Sequence, residues 1–299
     1  MAVLILGGAD DEHAVHVRDH LRGRGVETEV LDSRAFPASL SVSYDPGSDR
    51  GTLALPSGRR LSFEDVGAVY WRSYHGVRTP DLPDPEQGFI AENDARGLFE
   101  SVLLRLPARW VNGLRAFTFH QTKPAQLAAV AALGVAIPET LVGNDPEDLV
   151  GFVERHGEVI FKPVQGGAHA RLVTPGHLTP ENLRNLRIAP VTLQRRVPGT
   201  NVRAFVAGER VLACEIATER LDYREDEAPV LRAHALPPDA VEACGRIARA
   251  LDLLWTGIDF RLTPEGRYVF LEANPSPMFL GFERMTGLPL TESLAGLLI

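Results

Sequence analysis

Two acids and an amide, Asp259, Glu272 and Asn274, stand inside the stretch GIDFRLTPEGRYVFLEANPSP (257–277), which otherwise reads as two apolar strands. Residues 255–261 and 267–273 are rich in β-formers and are joined by Thr263-Pro264-Glu265-Gly266, a strong turn signal, so the stretch is predicted to be a hairpin. With Pro264 and Glu265 as a two-residue loop, Asp259 faces Phe270. Because side chains alternate, Glu272 and Asn274 then project from the face of Asp259, and Ile258, Phe260, Val269 and Leu271 fill the other face. Three hard oxygen donors on one face suit a Mg²⁺ ion that also touches phosphate oxygens. A hairpin with a solvated polar face fits the same pattern, and a bulge would shift the register. Spacing alone leaves both readings open.

Cations that could meet a phosphate lie elsewhere in the chain. Lys162 ends the apolar run EVIFKPV just before the glycine loop QGGAHARLV, where an ammonium could reach a phosphate while backbone N–H groups close over it. The plainer reading is a lysine at a strand edge. Lys123, in HQTKPAQL, precedes Pro124 at a helix N-terminus, a place that favours an anion over a cation and so hints at a bound anion. Arg203 interrupts the apolar strand VRAFVAG, and Arg224 stands in DYRED. A guanidinium can bind phosphate oxygens bidentately and neutralise charge that builds during phosphoryl transfer. Either arginine could instead be paired with a nearby acid, and Arg224 has Asp222, Glu225 and Asp226 around it.

The elements that must position these residues fall into two patterns. The first part alternates a strand at 3–6, a helix at about 12–23, a strand at 27–31, a Gly/Pro-rich hairpin and a strand at 67–71, which is α/β order. LGGADDEH, after the first strand, lacks the G-x-G-x-x-G spacing of a dinucleotide site. His13, His16 and His20 share one helical stripe; they could bind metal or form a half-exposed border beside Val17 and Leu21. A helix at 86–106, a short strand RWVN and an Ala/Leu-rich helix closing at Gly134 follow. After the strand VAIPETLVG comes a helix capped by Asp145. Beyond EVIFKPV the chain becomes β-rich, with VTLQRRV, VRAFVAG and RVLACEIA, then an amphipathic helix at 237–253 before the hairpin.

Composition narrows the functions. With 44% hydrophobic residues in 299, the chain can bury one large core or a few smaller ones. Its 39 acidic against 31 basic residues, net charge −8, and lack of a Lys/Arg-dense run argue against nucleic acid as a partner. Cys214 and Cys244 have no Cys-x-x-Cys spacing, so neither a disulfide framework nor a zinc site is suggested. The start AVLILGG has no basic n-region, and no apolar run reaches membrane-spanning length, so the expected location is the cytoplasm, without membrane association. No nucleophile elbow or P-loop is present, which gives serine hydrolases and P-loop NTPases no support.

The ordered set Lys123, FKPVQGG, LQRRVPGTNVRAFVAG and GIDFRLTPEGRYVFLEANPSP resembles the ATP-grasp superfamily, in particular its RimK-like carboxylate ligases. VYWRSY, RWVN, GVAIPETLVGNDPEDL, TERLDYRED and TGLPLTESLA are similar to the branch containing the microviridin-type graspetide ligases, which crosslink peptide side chains. The resemblance covers roughly 66–299 well and the first 65 residues only in their α/β pattern. It implies an α/β and α+β ATP-grasp fold: a pre-ATP-grasp α/β domain (1–115), a central lid-bearing subdomain (116–190) and a C-terminal subdomain with the metal site (191–299). By the same resemblance Lys123 and Lys162 hold phosphates, Gln194, Arg195 and Val197 belong to the hinge against adenine, and Asn201 lies near the ribose. Asp259, Glu272 and Asn274 bind Mg²⁺, with Mn²⁺ as an alternative ion, and Arg203 and Arg224 contact the transferred phosphoryl group or the substrate carboxylate. Arg72, in VYWRSY, is a candidate for substrate recognition or a structural strand-end arginine. The chain departs from the family pattern at Arg195, where relatives usually have glutamate, and at Asn201, where many have aspartate. It departs also at Pro277 and in the glycine-poor lid QGGAHARL.

The activity so implied is ATP-dependent amide or ester formation through an acyl phosphate, on Asp or Glu side chains of a peptide whose own Ser, Thr or Lys is the acceptor, with a homodimer as one assembly the resemblance allows. One alternative adds a free amino acid to a small molecule or a protein tail. The other is a nucleotide-binding regulatory protein without catalysis.

Overall fold

The computed structural model describes residues 1–165 and 167–299; Gly166, inside the expected lid QGGAHARL, lies outside the described residues. The chain forms two units, one of Met1–Ala116, Ser276–Glu283 and Pro289–Ile299, the other of Phe117–Pro275 and Arg284–Leu288. Among the described residues no helix is long and apolar enough to cross a membrane.

In the first unit the strand AVLIL (β1, Ala2–Leu6) is buried at every position, as a central parallel strand covered on both faces requires. Helix α1 (Glu12–Gly23) follows it, then β2 (Thr28–Leu31) and an antiparallel meander of β3 (Ser41–Asp45), β4 (Arg50–Ala54) and β5 (Arg60–Ser62). Strand β6 (Val66–Trp71), helix α2 (Pro85–Arg105) and β7 (Arg109–Val111) complete a parallel sheet of order β2-β1-β6-β7. Asp11 caps α1 by accepting from the backbone N–H of His13 at 2.8 Å and Ala14 at 3.1 Å, a contribution of about 1 kcal/mol. Ala14, Val17 and Leu21 then face the core at helical spacing.

Among the described residues the histidine stripe of α1 forms no metal site, and of the expected half-exposed border His16 and His20 are partly exposed while His13 is not. His13 is buried and its Nε2 accepts from the backbone N–H of Phe279 at 3.1 Å and Leu280 at 3.4 Å. His16 meets Thr291 Oγ1 at 3.0 Å and His20 meets Glu292 at 3.2 Å. The stripe is the docking face for the returning C-terminal segment, a partner remote in sequence.

Helix α3 (Leu114–His120) leads into the second unit, where α4 (Lys123–Ala132) comes first. Strands β8 (Thr140–Gly143), β9 (Val159–Pro163), β10 (Arg171–Leu172) and β11 (Val191–Arg195) form an antiparallel sheet of order β10-β9-β11-β8. Helix α5 (Pro146–His156), capped by Asp145, packs Leu149 and Phe152 on Val159 and Leu193 of that sheet, and the short α6 (Pro180–Leu183) precedes β11. A second antiparallel sheet has the order β14-β13-β12-β15-β16, from β12 (Thr200–Ala207), β13 (Arg210–Ala217), β14 (Val230–His234), β15 (Trp255–Leu262) and β16 (Tyr268–Asn274). Helix α7 (Pro238–Ala250) buries Ala240, Cys244, Ile247 and Ala248 against it.

The hairpin β15–β16 exists, with a register different from the expected one. The loop is Pro264-Glu265-Gly266, closed by Thr263 N–H to the Arg267 carbonyl at 2.9 Å, with Gly266 at φ 80° in the left-handed region. A bulge adds one more residue, Leu271, so that Phe260 pairs with Phe270 but Asp259 pairs with Glu272. The core face therefore carries Ile258, Phe260, Phe270 and Ala273, each nearly or wholly buried, rather than Val269 and Leu271. Residues paired across an antiparallel ladder share a face, so Asp259, Glu272 and Asn274 still project together.

Candidate active site

A cavity of about 970 Å³ lies within the second unit, lined from both of its sheets. Of the residues selected from sequence all but Asn274 and Arg72 line it. Two ion pairs dominate its floor, one between neighbouring strands and one from helix α4 to β16. Arg203 on β12 pairs with Asp259 on β15 and donates to both carboxylate oxygens, Nε and Nη2 each at 2.7 Å. Its guanidinium also lies 5.7 Å from the ring centre of Tyr223, within cation–π range. Burial pushes the Asp259 carboxyl up from its ordinary value, against the charge and hydrogen bonds of Arg203. Burial raises the Tyr223 hydroxyl to about 12, so it is a neutral ring beneath that cation.

Glu272 is held by Lys123, whose Nζ stands 2.7 Å from its Oε2, and by the Asn274 amide at 3.2 Å. Burial would raise this carboxyl, but the charge and hydrogen bond of Lys123, the Asn274 bond and the charge of Lys162 outweigh it and hold it at about 2. Helix α4 is fixed over the strand by the next turn: Gln126, on the same face as Lys123, donates to the Ala273 carbonyl at 3.0 Å and accepts from its N–H at 2.9 Å. One buried amide satisfies both backbone groups of the residue beside Glu272. His120 adds a third contact, its Nδ1 donating to the same carbonyl at 3.0 Å. Burial, then the charge of Lys123, lowers the His120 pKa, which keeps that ring neutral. Sequence reading passed over both Gln126 and His120; their only signal was their helical spacing from Lys123.

Lys162 lies on β9, opposite Thr192 of β11, and lines the same cavity. Burial lowers its pKa, the charge of Glu272 opposes this, and Lys123 adds to the lowering. No hydrogen bond or ion pair joins its ammonium to another described residue. A cation taken out of water without a partner is costly, which makes an anion in the cavity the physical complement of this site.

The remaining candidates are placed as follows. Gln194 is buried on β11 and donates to Thr140 Oγ1 at 3.0 Å. Arg195 points its guanidinium to Glu139, at 3.1 and 3.3 Å. The Val197 carbonyl and the Asn201 side-chain oxygen both accept from Arg261, at 3.2 and 2.8 Å, and Arg261 reaches the Gly199 carbonyl as well. Arg261 thus clamps the segment between β11 and β12. Its signal was the alternation that puts it two residues from Asp259. Gly199 is required there: at φ 122° a Cβ would stand 1.9 Å from the Leu262 carbonyl oxygen. Arg224 donates to Asp222, from Nε to Oδ1 at 2.8 Å and from Nη2 to Oδ2 at 2.5 Å.

Arg72 belongs to the first unit. It donates to Asp11 at 3.1 Å and, through Nη1, to the carbonyl and the hydroxyl of Ser276, both at 3.1 Å, which ties β6 to the helix cap and to the returning C-terminal segment.

Among the described residues no group of three or more His, Cys, Asp or Glu side chains could hold a metal ion. The set at hand is two carboxylates and an amide. Its donor chemistry fits Mg²⁺, which takes one or two carboxylates and completes its shell with water and substrate phosphates. Asn274 spends its amide N–H on Glu272, so its side-chain oxygen has no partner among the described residues.

No family model matches the sequence. Over 192 residues it is 27% identical to a probable alpha-L-glutamate ligase of Picosynechococcus sp., an alignment covering 59% of this chain and 62% of that relative, so the chain spans less than two thirds of the relative's length. The ATP-grasp ligase PsnB, solved in complex with a minimal precursor, matches at 30% identity and a TM-score of 0.86, over 99% of this chain and 97% of that one. PsnB has also been solved with minimal precursor, Mg and ADP, which matches at a TM-score of 0.82 and 30% identity over 99% and 97% of the two chains. The macrocyclase MdnC of Microcystis aeruginosa MRC, bound with its precursor peptide MdnA, matches in fold at a TM-score of 0.86 and 24% identity, over 100% and 99% of the two chains.

Proposed function

This chain belongs to the ATP-grasp ligases, and from that premise we propose that it uses Mg²⁺ and ATP to join a carboxylate of a peptide, an Asp or Glu side chain, to an amine or hydroxyl of the same peptide. The observation that carries the reading is the Lys162 ammonium, without a hydrogen-bond or ion-pair partner among the described residues, in the same cavity as the Lys123–Glu272 pair, a cavity large enough for a nucleotide. Lys123 and Lys162 take the phosphates. Asp259, Glu272 and Asn274 would hold the Mg²⁺, which would supply positive charge against the phosphate oxygens. In the free protein Lys123 and Arg203 neutralise Glu272 and Asp259; with nucleotide and metal bound, the two cations would be free to serve the phosphates and the two carboxylates to hold the metal. Charge balance is kept by an exchange of partners, so the acids can be buried before the nucleotide arrives.

The reaction has two steps. A carboxylate oxygen of the peptide attacks the γ-phosphorus, ADP leaves, and an acyl phosphate forms. An amine or hydroxyl then attacks the acyl carbon, phosphate leaves, and the proton goes to solvent or to the phosphate. Arg224 lines the same cavity, and in this reading it neutralises the transferred group as a preorganised cation that needs no reorganisation in the transition state. Arg203 sets the position and charge of Asp259, and its contact with the phosphoryl group requires that pair to open. We further propose that the second unit divides at about residue 190 into central and C-terminal subdomains, and that the enzyme works in the cytoplasm, where ATP is supplied.

PsnB and MdnC were each solved with precursor peptides, which supports a peptide substrate. The partial match to a probable glutamate ligase favours one second reading, addition of a free amino acid to an existing carboxylate. Mass spectrometry of acidic, Ser/Thr/Lys-containing peptides incubated with the protein, ATP and Mg²⁺ separates the two. Intramolecular joining removes one water per bond, whereas the second reading adds an amino-acid residue mass. Absence of ADP and of any product across a broad peptide panel would leave only nucleotide binding.

A further inference from the structure

Between the glycine loop after β9 and the segment that carries Arg224 stands an acid, Asp222, that the proposed function gives no role. Asp222 is 8% exposed and lines the cavity. Its Oδ1 accepts from the backbone N–H of Arg224 at 3.1 Å and from Arg224 Nε at 2.8 Å. Its Oδ2 accepts from Arg224 Nη2 at 2.5 Å and from Nδ1 of His169 at 3.1 Å. His169 belongs to the glycine loop, two residues beyond Gly167, which sits at φ 96°. Both carboxylate oxygens are thereby filled. Arg224 is left with Nη1, which has no partner among the described residues.

We propose that Asp222 is a positioning residue that aims Arg224 into the cavity, and that His169 docks its own segment, residues 167–170, onto the same carboxylate, so that the hold on that segment and the aim of the arginine depend on one group. The geometry has two independent parts. A two-bonded guanidinium held edge-on by a carboxylate cannot swing, so its remaining N–H group has a fixed direction. A loop whose histidine bonds that carboxylate cannot open without breaking the bond. The ionised state of Asp222 agrees with this: burial would raise its carboxyl, but the Arg224 side-chain bond, the Arg224 backbone N–H and the His169 bond bring it down to about 2. What Arg224 acts on rests on the ligase reading above; the latch itself does not.

Limited trypsin cleavage of the free protein at the Arg171–Leu172 bond, on the far side of the loop, tests the latch without any substrate. His169→Ala and Asp222→Asn are expected to raise that cleavage rate at least fivefold, and His169→Asn, which keeps a donor at the Nδ1 position, to stay within twofold of the parent. Equal rates in all four proteins overturn the latch. Circular dichroism and melting temperature identify a variant that has lost its fold, in which case His169→Ala against His169→Asn decides alone. For the aim of Arg224, ADP formation with an acidic peptide is compared in Asp222→Asn, Arg224→Ala and the double variant. Asp222→Asn should lower kcat by tenfold or more with KM for ATP within threefold, and the double variant should be no slower than Arg224→Ala. Losses that multiply overturn the positioning role. A parent that binds no non-hydrolysable ATP analogue with Mg²⁺ sinks the ligase reading, while the cleavage rates still decide the latch.

Discussion

The two units use the same side-chain types to different ends. In the first, Arg72 is matched to Asp11 and Ser276, and the buried His13 to two backbone N–H groups. Both of these groups have partners that the fold itself supplies, and their contacts tie the C-terminal segment down. In the second unit the balance is incomplete. Glu272 and Asp259 are each answered by one cation, yet burial pushes Asp259 up, and Lys162 is pushed down by burial with no hydrogen-bond or ion-pair partner among the described residues. A closed network stabilises, whereas one left short of an anion marks where a ligand completes it. Buried polar groups alone would not have distinguished the two; what distinguishes them is whether the account closes within the protein.

The comparison can be broken by substitution. Glu272→Gln should abolish detectable ADP formation, a loss of about a thousandfold or more if the metal is misplaced, with the melting temperature little changed; unchanged turnover removes Glu272 from the site. Lys162→Ala should weaken nucleotide affinity by roughly 10–100-fold, the worth of about 1.5–3 kcal/mol for a charged hydrogen bond. The apolar Lys162→Met, by removing an unpartnered cation, should stabilise the nucleotide-free protein by about 1 kcal/mol in urea unfolding. A destabilised Lys162→Met would mean that the ammonium is already satisfied. In the first unit Arg72→Ala should do the reverse, costing about 1–3 kcal/mol of stability and leaving the affinity for an ATP analogue within threefold. A large loss of nucleotide affinity with no loss of stability would move Arg72 into the reaction.

The smallest effect is on pH. Burial first, then the charge of Arg72, lowers the pKa of His13 to about 4 from an ordinary 6.5. A base depressed in the folded state takes up its proton more readily when unfolded, so its contribution is intact above pH 6.5 and falls as the pH drops toward 4. Unfolding of the parent should therefore show a decline in stability over that window, and His13→Gln a shallower one. Parallel pH curves for the two proteins would remove His13 from the account.

How much of this could be read from sequence depends on the distance over which each feature acts. The acid face of the hairpin was legible because strand alternation is local and survives an even number of errors. The three-residue loop and the bulge at Leu271 each shift the register by one, and together they leave the acids on one face while moving the core face from Leu271 to Phe270. Bulges have no reliable sequence signature, so the pairing itself was not legible. The stripe of His13, His16 and His20 was visible, but its meaning was not, since its partners lie near Phe279, Thr291 and Glu292. Arg261 was missed for a related reason, since it looks like strand punctuation until the structure brings it against its partners. Asp222 was one of three acids near Arg224 in sequence, and only the structure selects it as the partner.

The central claim is that two internally paired carboxylates exchange their cations for Mg²⁺ when the nucleotide binds. The most direct test is calorimetric titration of a non-hydrolysable ATP analogue into the parent and into Glu272→Gln, each with saturating Mg²⁺ and with EDTA. The account predicts affinity at least tenfold tighter with Mg²⁺ in the parent and little or no dependence on Mg²⁺ in Glu272→Gln, where the metal loses a carboxylate and Lys123 is released to the phosphates. The same Mg²⁺ dependence in both proteins would contradict it.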